Sequence, residues 1–453
     1  MRLFRRQCGF LTFLGTFAYL IGCHIIMRTH ETRTEGVLDC TGALTVLATK
    51  LTAVAYNYQD GLTLLKEKDQ GAKAKDAQEK EELTDEQRRR EERMERSRLE
   101  RRKAALVTMP SLLELMGYLF CFGLHMTGPF FEFKAYDDWT TKQGIWSPTL
   151  KQPSVLPPFF RAFVQGILAA LVFLLVSPSL DLTRISDPLK NRAYPFHLRW
   201  LFAHQASLVW RFRAYILWSI TEAAMVIGGL GFTGWEAAKG EAVKRGGVKG
   251  EAAGKQLNGN GDGDGDASKP EDDKTCAAPV GEGKALWSRA RNADILGFEF
   301  PKSCLDFATT WNISYGLWLR LYVYERMVPP GRKANFFHML ATMFVSAVSH
   351  GLNWGDFIFF ANWALVVASS KAIYQLTSGI PKGTIAHRIV AVLHTLYGIF
   401  VCSYMASAFC VMTLSGAYSA YSGMYYTGTI IPIFLIVLSM VYKPRRPKRV
   451  KSE

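Results

Sequence analysis

Several stretches of this chain stay apolar for about the length of a bilayer crossing, and that limits the fold more than any other feature. Residues 9–27, 159–176, 387–414 and 418–442 are such runs, and roughly 20 apolar residues in helical form cover a hydrocarbon layer of about 30 Å. The run at 159–176 is bounded by Pro157, Pro158 and Pro178. Residues 335–349 are apolar nearly all round, and another apolar segment occupies 357–374. Residues 194–235 are apolar but long and carry Arg199, Arg211 and Arg213; one tilted span and two short spans joined by a tight turn both fit. Residues 38–58 hold Lys50 in their middle, as either a span packed inside a bundle or a helix along the interface. The apolar part of 110–139 is long enough to span, with Glu114 and His125 embedded, before Gly128-Pro129 breaks the helix. Trp139 and Trp146 suit the headgroup level or a substrate-facing loop. The expected fold is all-α, a polytopic transmembrane bundle of about eight to ten spans.

Two polar blocks interrupt this pattern. Residues 66–104 are dense in Lys, Arg, Glu and Asp, with opposite charges three or four apart, the spacing of a solvated helix laced by local ion pairs. Residues 236–291 are rich in Gly, Asp and Lys, and their centre at 258–274 reads as a flexible linker. There, Asp262, Asp264 and Asp266 mimic the start of a calcium loop. Ala267 stands where that loop needs glycine, and Asp273 where it needs glutamate, so no metal site is expected. The organisation is then 1–65 as N-terminal transmembrane or interfacial helices, 66–104 as a charged cytosolic insert, and 105–235 as transmembrane helices. A disordered insert at 236–291, a chemical core at 292–442 and a basic tail at 443–453 complete it. The tail, KPRRPKRVKSE, places the C-terminus in the cytosol by the positive-inside rule, and its last residues approximate a lysine-based endoplasmic-reticulum retrieval signal.

The formal net charge is +15. Its basic residues lie in mixed-charge runs and at the ends of apolar segments, where anionic lipid headgroups are the natural partner. The basic and aromatic interleaving of a nucleic-acid-binding module is missing. Eight cysteines are scattered without a C-x-x-C pair, which argues against both a zinc site and a disulfide framework.

Two residues carry the candidate chemistry. Asn312 lies in WNISYGLWLRLYVYER (311–326), and His350 lies in SHGLNWGDFIFF (349–360). His350 ends a long apolar helix, and an ionisable group held in or beside a membrane is a functional candidate by default. A neutral imidazole is a competent general base near pH 7, able to take the proton of a substrate hydroxyl as its oxygen attacks an acyl carbonyl. The Asn312 amide has two N–H donors for a developing oxyanion and a carbonyl that could orient a group. No G-x-S-x-G or H-E-x-x-H motif accompanies them, and a direct transfer needs no enzyme nucleophile. A histidine at a helix end also serves often as a hydrogen-bonded structural residue; His338, His387 and His394 read that way. His338 is about 18 Å from His350 along one helix. Asn312 opens an N-I-S sequon, but Trp311, Trp318 and Tyr322 surround it, unlike the exposed loop of an acceptor site.

At these positions the chain resembles the membrane-bound O-acyltransferase family, and more narrowly its lysophospholipid acyltransferases. Trp311, Asn312, Trp318, Leu319, Tyr322, Val323 and Tyr324 match that family's W-N-x-x-x-x-x-W-L-x-x-Y-V-Y block. His350, Gly351, Leu352 and Gly355 match H-G-L-x-x-G. Gly128, Pro129, Glu132 and Phe133 resemble an upstream segment, as does YNYQDG at 56–61. The resemblance implies a helical bundle with a central chamber, in which a fatty acyl group passes from acyl-CoA to a lysophospholipid hydroxyl. His350 would be the general base, and Asn312 would orient the reactants or stabilise the transition state. Trp311, Trp318, Tyr322, Gly351, Gly355 and Glu132 would contact substrate. Acyl-CoA would be a co-substrate arriving from the cytosol, with no permanently bound cofactor, and the lysolipid would come sideways from the bilayer; a homo-oligomer is compatible with this. Three departures stand out. Ser349 precedes the histidine where the family commonly has Trp, and Asp356-Phe357 follows Gly355 where an aromatic pair is usual. The chain also begins nearer the core, and the two polar inserts are long. Transfer to a sterol, a diacylglycerol or a protein is the alternative within the family. A non-enzymatic transporter or scaffold is the alternative outside it, although no internal repeat of the transporter kind is visible.

Overall fold

The computed structural model describes residues 6–31, 40–71, 85–121, 123, 128–177, 193–236, 284–328, 332 and 334–442. The expected linker at 258–274, with its aspartates, His125 and the basic tail at 443–453 lie outside them. Among the described residues, regular structure is helical apart from one antiparallel pair, Gly234–Trp235 with Ala285–Leu286.

Helices α1 (Cys8–Glu31) and α2 (Thr41–Gly71) pack against each other. Helix α3 (Asp85–Ala104) comes from the charged block. Most of it faces solvent, but Met94, Ser97, Arg101 and Ala104, three or four residues apart, form an inward face. Ser97 Oγ donates to Glu325 Oε2 at 2.8 Å, and Arg101 Nη2 donates to the Glu325 carbonyl at 3.4 Å. The charged block therefore docks on the body by one stripe.

Among the described residues of 110–139, no helix is long enough to span. Helix α4 (Leu112–Leu119) has only 8 residues. It starts at a capping box between Ser111 and Glu114, which satisfies two otherwise orphaned donors. Its end is met by Lys50, which is fully buried in α2 and donates from Nζ to the carbonyls of Tyr118 (2.9 Å) and Leu119 (3.1 Å). A cation at a helix C-terminus is favoured by the dipole and by the unsatisfied carbonyls there. Helix α5 (Phe133–Thr140) follows Gly128-Pro129. Trp139 and Trp146 prove to be braces: each indole N–H donates at 2.9 Å to a carbonyl of the turn at Gly228 and Gly229.

Helix α6 (Leu156–Val176) carries its prolines in the first turn, where a missing N–H leaves no intrahelical bond unmade. It lies along α7 (Phe196–Ile227), a single helix of 32 residues, with no turn dividing it. Helix α8 (Ile313–Trp318) runs into a π-turn at Leu319–Tyr324. Then come α9 (Phe336–His350), α10 (Trp354–Leu376), α11 (Ile385–Val411), α12 (Leu414–Gly423) and α13 (Thr427–Val441). Helix α7 packs on α11, α11 on α10 and α12, and α10 on α9 and α13. Their common interior holds Tyr215, Phe307, Trp363, Tyr404 and Met405.

Among the described residues, four helices are long and apolar enough to cross a membrane: α1, α6, α10 and α11. The α12–α13 pair, bent by 72°, adds a fifth if it counts as one span. This is a polytopic helical membrane protein, with fewer qualifying helices than the apolar runs suggested. Helix α4 is too short, and α9 has only 15 residues. Helices α2 and α7 dilute their apolar character with polar groups that point inward, including Lys50, Asn57, Arg199, Arg211 and Glu222.

Candidate active site

The chain reaches the asparagine block through two one-turn helices, Ile295–Glu299 and Phe307–Thr310, and Trp311 bridges to Ala293. Asn312 then adopts a left-handed conformation, φ 44° and ψ 53°, which asparagine tolerates better than most side chains. Asn292, 1% exposed, holds this turn in place. Its carbonyl accepts from the Ile313 N–H (2.9 Å), and its Nδ2 donates to Asn312 Oδ1 (3.0 Å). Its Oδ1 accepts from both the Ser314 N–H (3.1 Å) and the Ser314 hydroxyl (2.6 Å). Ser314 Oγ in turn accepts from the Phe130 N–H (2.9 Å), tying the block to the Gly128–Phe133 segment.

Trp311 is clamped by rings from three directions. Tyr215 and Trp218 meet it edge-on at centroid distances of 5.5 and 4.8 Å, and Phe298 is tilted against it at 4.9 Å. A buried ion pair backs this clamp. Arg211 donates through Nε and Nη2 to the two oxygens of Glu299, each at 2.9 Å, and the Tyr215 hydroxyl donates to Glu299 Oε1 at 2.8 Å. A bidentate pair with a third donor has the geometry that makes a buried charge tolerable.

His350 is the last residue of α9. It sits deep in the protein, its ring 5.1 Å from that of Phe360 and 5.8 Å from that of Phe409, with His24 of α1 within electrostatic range. Even so, it is exposed. One bond joins its neighbour to the asparagine block: the Tyr315 hydroxyl lies 2.6 Å from Ser349 Oγ. Ser349 Oγ donates to the Ser346 carbonyl (2.7 Å), and Thr45 donates to the Ser349 carbonyl (2.9 Å). The helix end that bears His350 is thus fixed to α8 and to α2 at once.

A second polar cluster gathers the remaining matched segments. Asn57 Nδ2 donates to Glu132 Oε2 at 2.7 Å. The Tyr322 hydroxyl lies 2.8 Å from Glu132 Oε1 and 2.8 Å from Asn57 Oδ1. Arg326 pairs with Asp60 through two bonds of 2.8 and 2.5 Å and stacks over Tyr56 at 4.5 Å. The surrounding protein raises the Glu132 carboxyl above its ordinary pKa by desolvation, against the hydrogen bonds from Tyr322 and Asn57 and the nearby Arg326 charge. Trp318, 0% exposed, donates its indole N–H to the Thr49 carbonyl (2.9 Å) and stacks on Phe17 and Tyr315.

The candidate residues therefore fall into two groups. Trp311, Asn312 and His350 belong to one connected frame. Trp318, Tyr322 and Glu132 form packed support beside it. Gly351 makes the turn out of α9, while Gly355 lets α10 start against the end of α11: its N–H donates to the Met412 carbonyl at 2.8 Å, and a Cβ would collide with the Ala408 carbonyl. Among the described residues, no group of three or more His, Cys, Asp or Glu side chains could hold a metal ion. Three further residues join these networks. Tyr315 and Asn57 lie inside matched segments; Asn292 lies in none, and its sequence surroundings carry no signal.

Residues 27–415 match the model of the membrane-bound O-acyltransferase family. Lysophospholipid acyltransferase 1 of Arabidopsis thaliana is 36% identical over 458 aligned positions, covering 100% of this chain and 84% of that protein. Lysophospholipid acyltransferase 2 of the same plant is also 36% identical, with 83% of its length covered. Lysophospholipid acyltransferase of Saccharomyces cerevisiae is 22% identical over 97% of this chain and 65% of its own. The chain belongs to the membrane-bound O-acyltransferase family.

Proposed function

We propose that this protein transfers a fatty acyl group from acyl-CoA to the free hydroxyl of a lysophospholipid, giving a diacyl phospholipid. The observation that carries this reading is the single frame holding Asn312 and His350, closed by the Tyr315–Ser349 hydrogen bond, in a membrane protein whose relatives are lysophospholipid acyltransferases. In the reaction, His350 takes the proton of the lysolipid hydroxyl as its oxygen attacks the thioester carbonyl carbon. The C–O bond forms, the Asn312 amide meets the developing oxyanion, and the C–S bond breaks. The proton passes from His350 to the leaving thiolate, releasing free CoA. A general base contributes about 10²–10⁴-fold, and an oxyanion donor about 10²–10³-fold.

Trp311 and the Gly351 turn border the reacting groups. Trp318, Tyr322 and Glu132 set the position of α8, and Gly355 sets that of α10. We assign the catalytic core to residues 292–442, the charged helix and the C-terminus to the cytosolic side, and the protein to the endoplasmic reticulum. The experiment supplies labelled oleoyl-CoA and a panel of lysophospholipids to membranes that lack their own lysophospholipid acyltransferases and contain this chain. Labelled diacyl phospholipid and stoichiometric free CoA are expected, with the panel naming the head group. Labelled sterol ester, triacylglycerol or protein in its place would refute the lysophospholipid assignment.

A further inference from the structure

The hydrogen bonds around Asn312 determine which end of its amide is free, because the network starts from backbone N–H groups that can only donate. The Phe130 N–H donates to Ser314 Oγ, so the Ser314 hydroxyl proton is available for Asn292 Oδ1. That oxygen also accepts from the Ser314 N–H. With its oxygen fixed by two donors, Asn292 must face Asn312 with its NH2, and the Asn312 atom it meets must be the carbonyl oxygen (3.0 Å). The Asn312 NH2 is left over. Among the described residues it has no hydrogen-bond partner, and it is not sealed from solvent.

We propose that Asn292 is a positioning residue that locks the Asn312 amide with its NH2 group turned to the reacting acyl carbonyl, so that Asn312 acts as a hydrogen-bond donor and never as an acceptor. This rests on the assignment of Asn312 to the active site. It explains why a residue outside the matched blocks is buried and uses its carbonyl, its side-chain oxygen and its side-chain nitrogen on a single turn. An amide rotated by half a turn would point lone pairs at the oxyanion, which repel it instead of stabilising it.

The test is Asn292→Asp in the full-length protein, assayed with oleoyl-CoA and the preferred lysophospholipid across a pH series. One carboxylate oxygen still accepts from Ser314. The other, when ionised, repels Asn312 Oδ1 and attracts its NH2, reversing the amide; when protonated, it can donate to Oδ1 as Asn292 does. The expected result at neutral pH is a kcat about 10²–10³-fold below the parent's, the size of a lost oxyanion donor, with KM for both substrates unchanged. The variant-to-parent ratio of kcat should recover as pH falls toward about 4, the range in which an aspartate carboxyl regains its proton. Asn312→Ala runs alongside. If it is as active as the parent, the placement of Asn312 in the active site fails. If it is inactive while Asn292→Asp matches the parent at every pH, the proposal fails and the site stands. A loss in Asn292→Asp that does not narrow with acid, or that follows loss of folded protein on gel filtration, also overturns the proposal and leaves Asn292 a purely structural residue.

Discussion

The Tyr315–Ser349 bond is where the two halves of the site meet, and a double-mutant cycle measures what it does. Ser349 donates its proton to the Ser346 carbonyl, so the Tyr315 hydroxyl is the donor in the 2.6 Å contact. Tyr315→Phe removes that donor and leaves Ser349 with its Ser346 bond, a cost of about 0.5–1.5 kcal/mol for one net hydrogen bond. Ser349→Ala removes the acceptor and leaves a phenolic hydroxyl unsatisfied in the interior, a cost of roughly 1–3 kcal/mol. In the double variant the stranded hydroxyl is gone, so the combined cost falls short of the sum by about 1 kcal/mol. If the bond sets the spacing of Asn312 and His350, part of that coupling appears in the transition state. At about 1.4 kcal/mol per factor of ten, kcat in each single variant should fall by up to about 5-fold, with KM for both substrates little changed. The assay is initial-rate kinetics in nanodiscs, with thermal unfolding of the same samples. Single variants with parental kcat and strictly additive melting temperatures would refute the idea that this bond carries the geometry.

Two further outcomes are expected. Glu132→Gln should keep the Asn57–Glu132–Tyr322 cluster, because an amide can accept from Asn57 and donate to Tyr322; Glu132→Ala should lose about 1–3 kcal/mol by stranding the Asn57 amide N–H, while the Tyr322 hydroxyl keeps Asn57 Oδ1. Because the folded-state pKa of Glu132 is raised, its contribution is full below the unfolded-state pKa and is lost as pH rises through the folded value. The melting temperature of Glu132→Gln relative to the parent should therefore rise with pH above about 4–5, and a pH-independent difference would contradict this. Gly355→Ala forces a methyl into the Ala408 carbonyl. It should lower the yield of folded protein by a destabilisation near 3 kcal/mol, the upper range for overpacking, read by fluorescence-detected gel filtration.

What the sequence discloses here depends on how local each determinant is. The apolar run at 159–176 is legible because prolines at its edges and composition within it act on one segment, and α6 follows it closely. Helix α7 was ambiguous because its arginines find their partners far away: Arg211 at Glu299, 88 residues on, and Arg199 at Tyr425, 226 residues on. Lys50 reads as a blemish in a span until Tyr118 and Leu119 supply two carbonyls. Trp139 and Trp146 look like interfacial anchors because an indole N–H in search of a carbonyl leaves the same trace in sequence as one in search of a headgroup. Asn312 and His350 stand out by residue type in apolar surroundings. Asn292 is an ordinary asparagine beyond a polar insert, and only the turn it holds 20 residues later reveals it.

The central claim is that His350 is the base of an acyl transfer. Purified protein in nanodiscs, oleoyl-CoA and the preferred lysophospholipid, with His350→Ala compared against His338→Ala at the far end of the same helix, tests it most directly. The account predicts that His350→Ala loses about 10²–10⁴-fold in kcat while remaining folded, and that His338→Ala stays within a few-fold of the parent. Parental turnover in His350→Ala would contradict it.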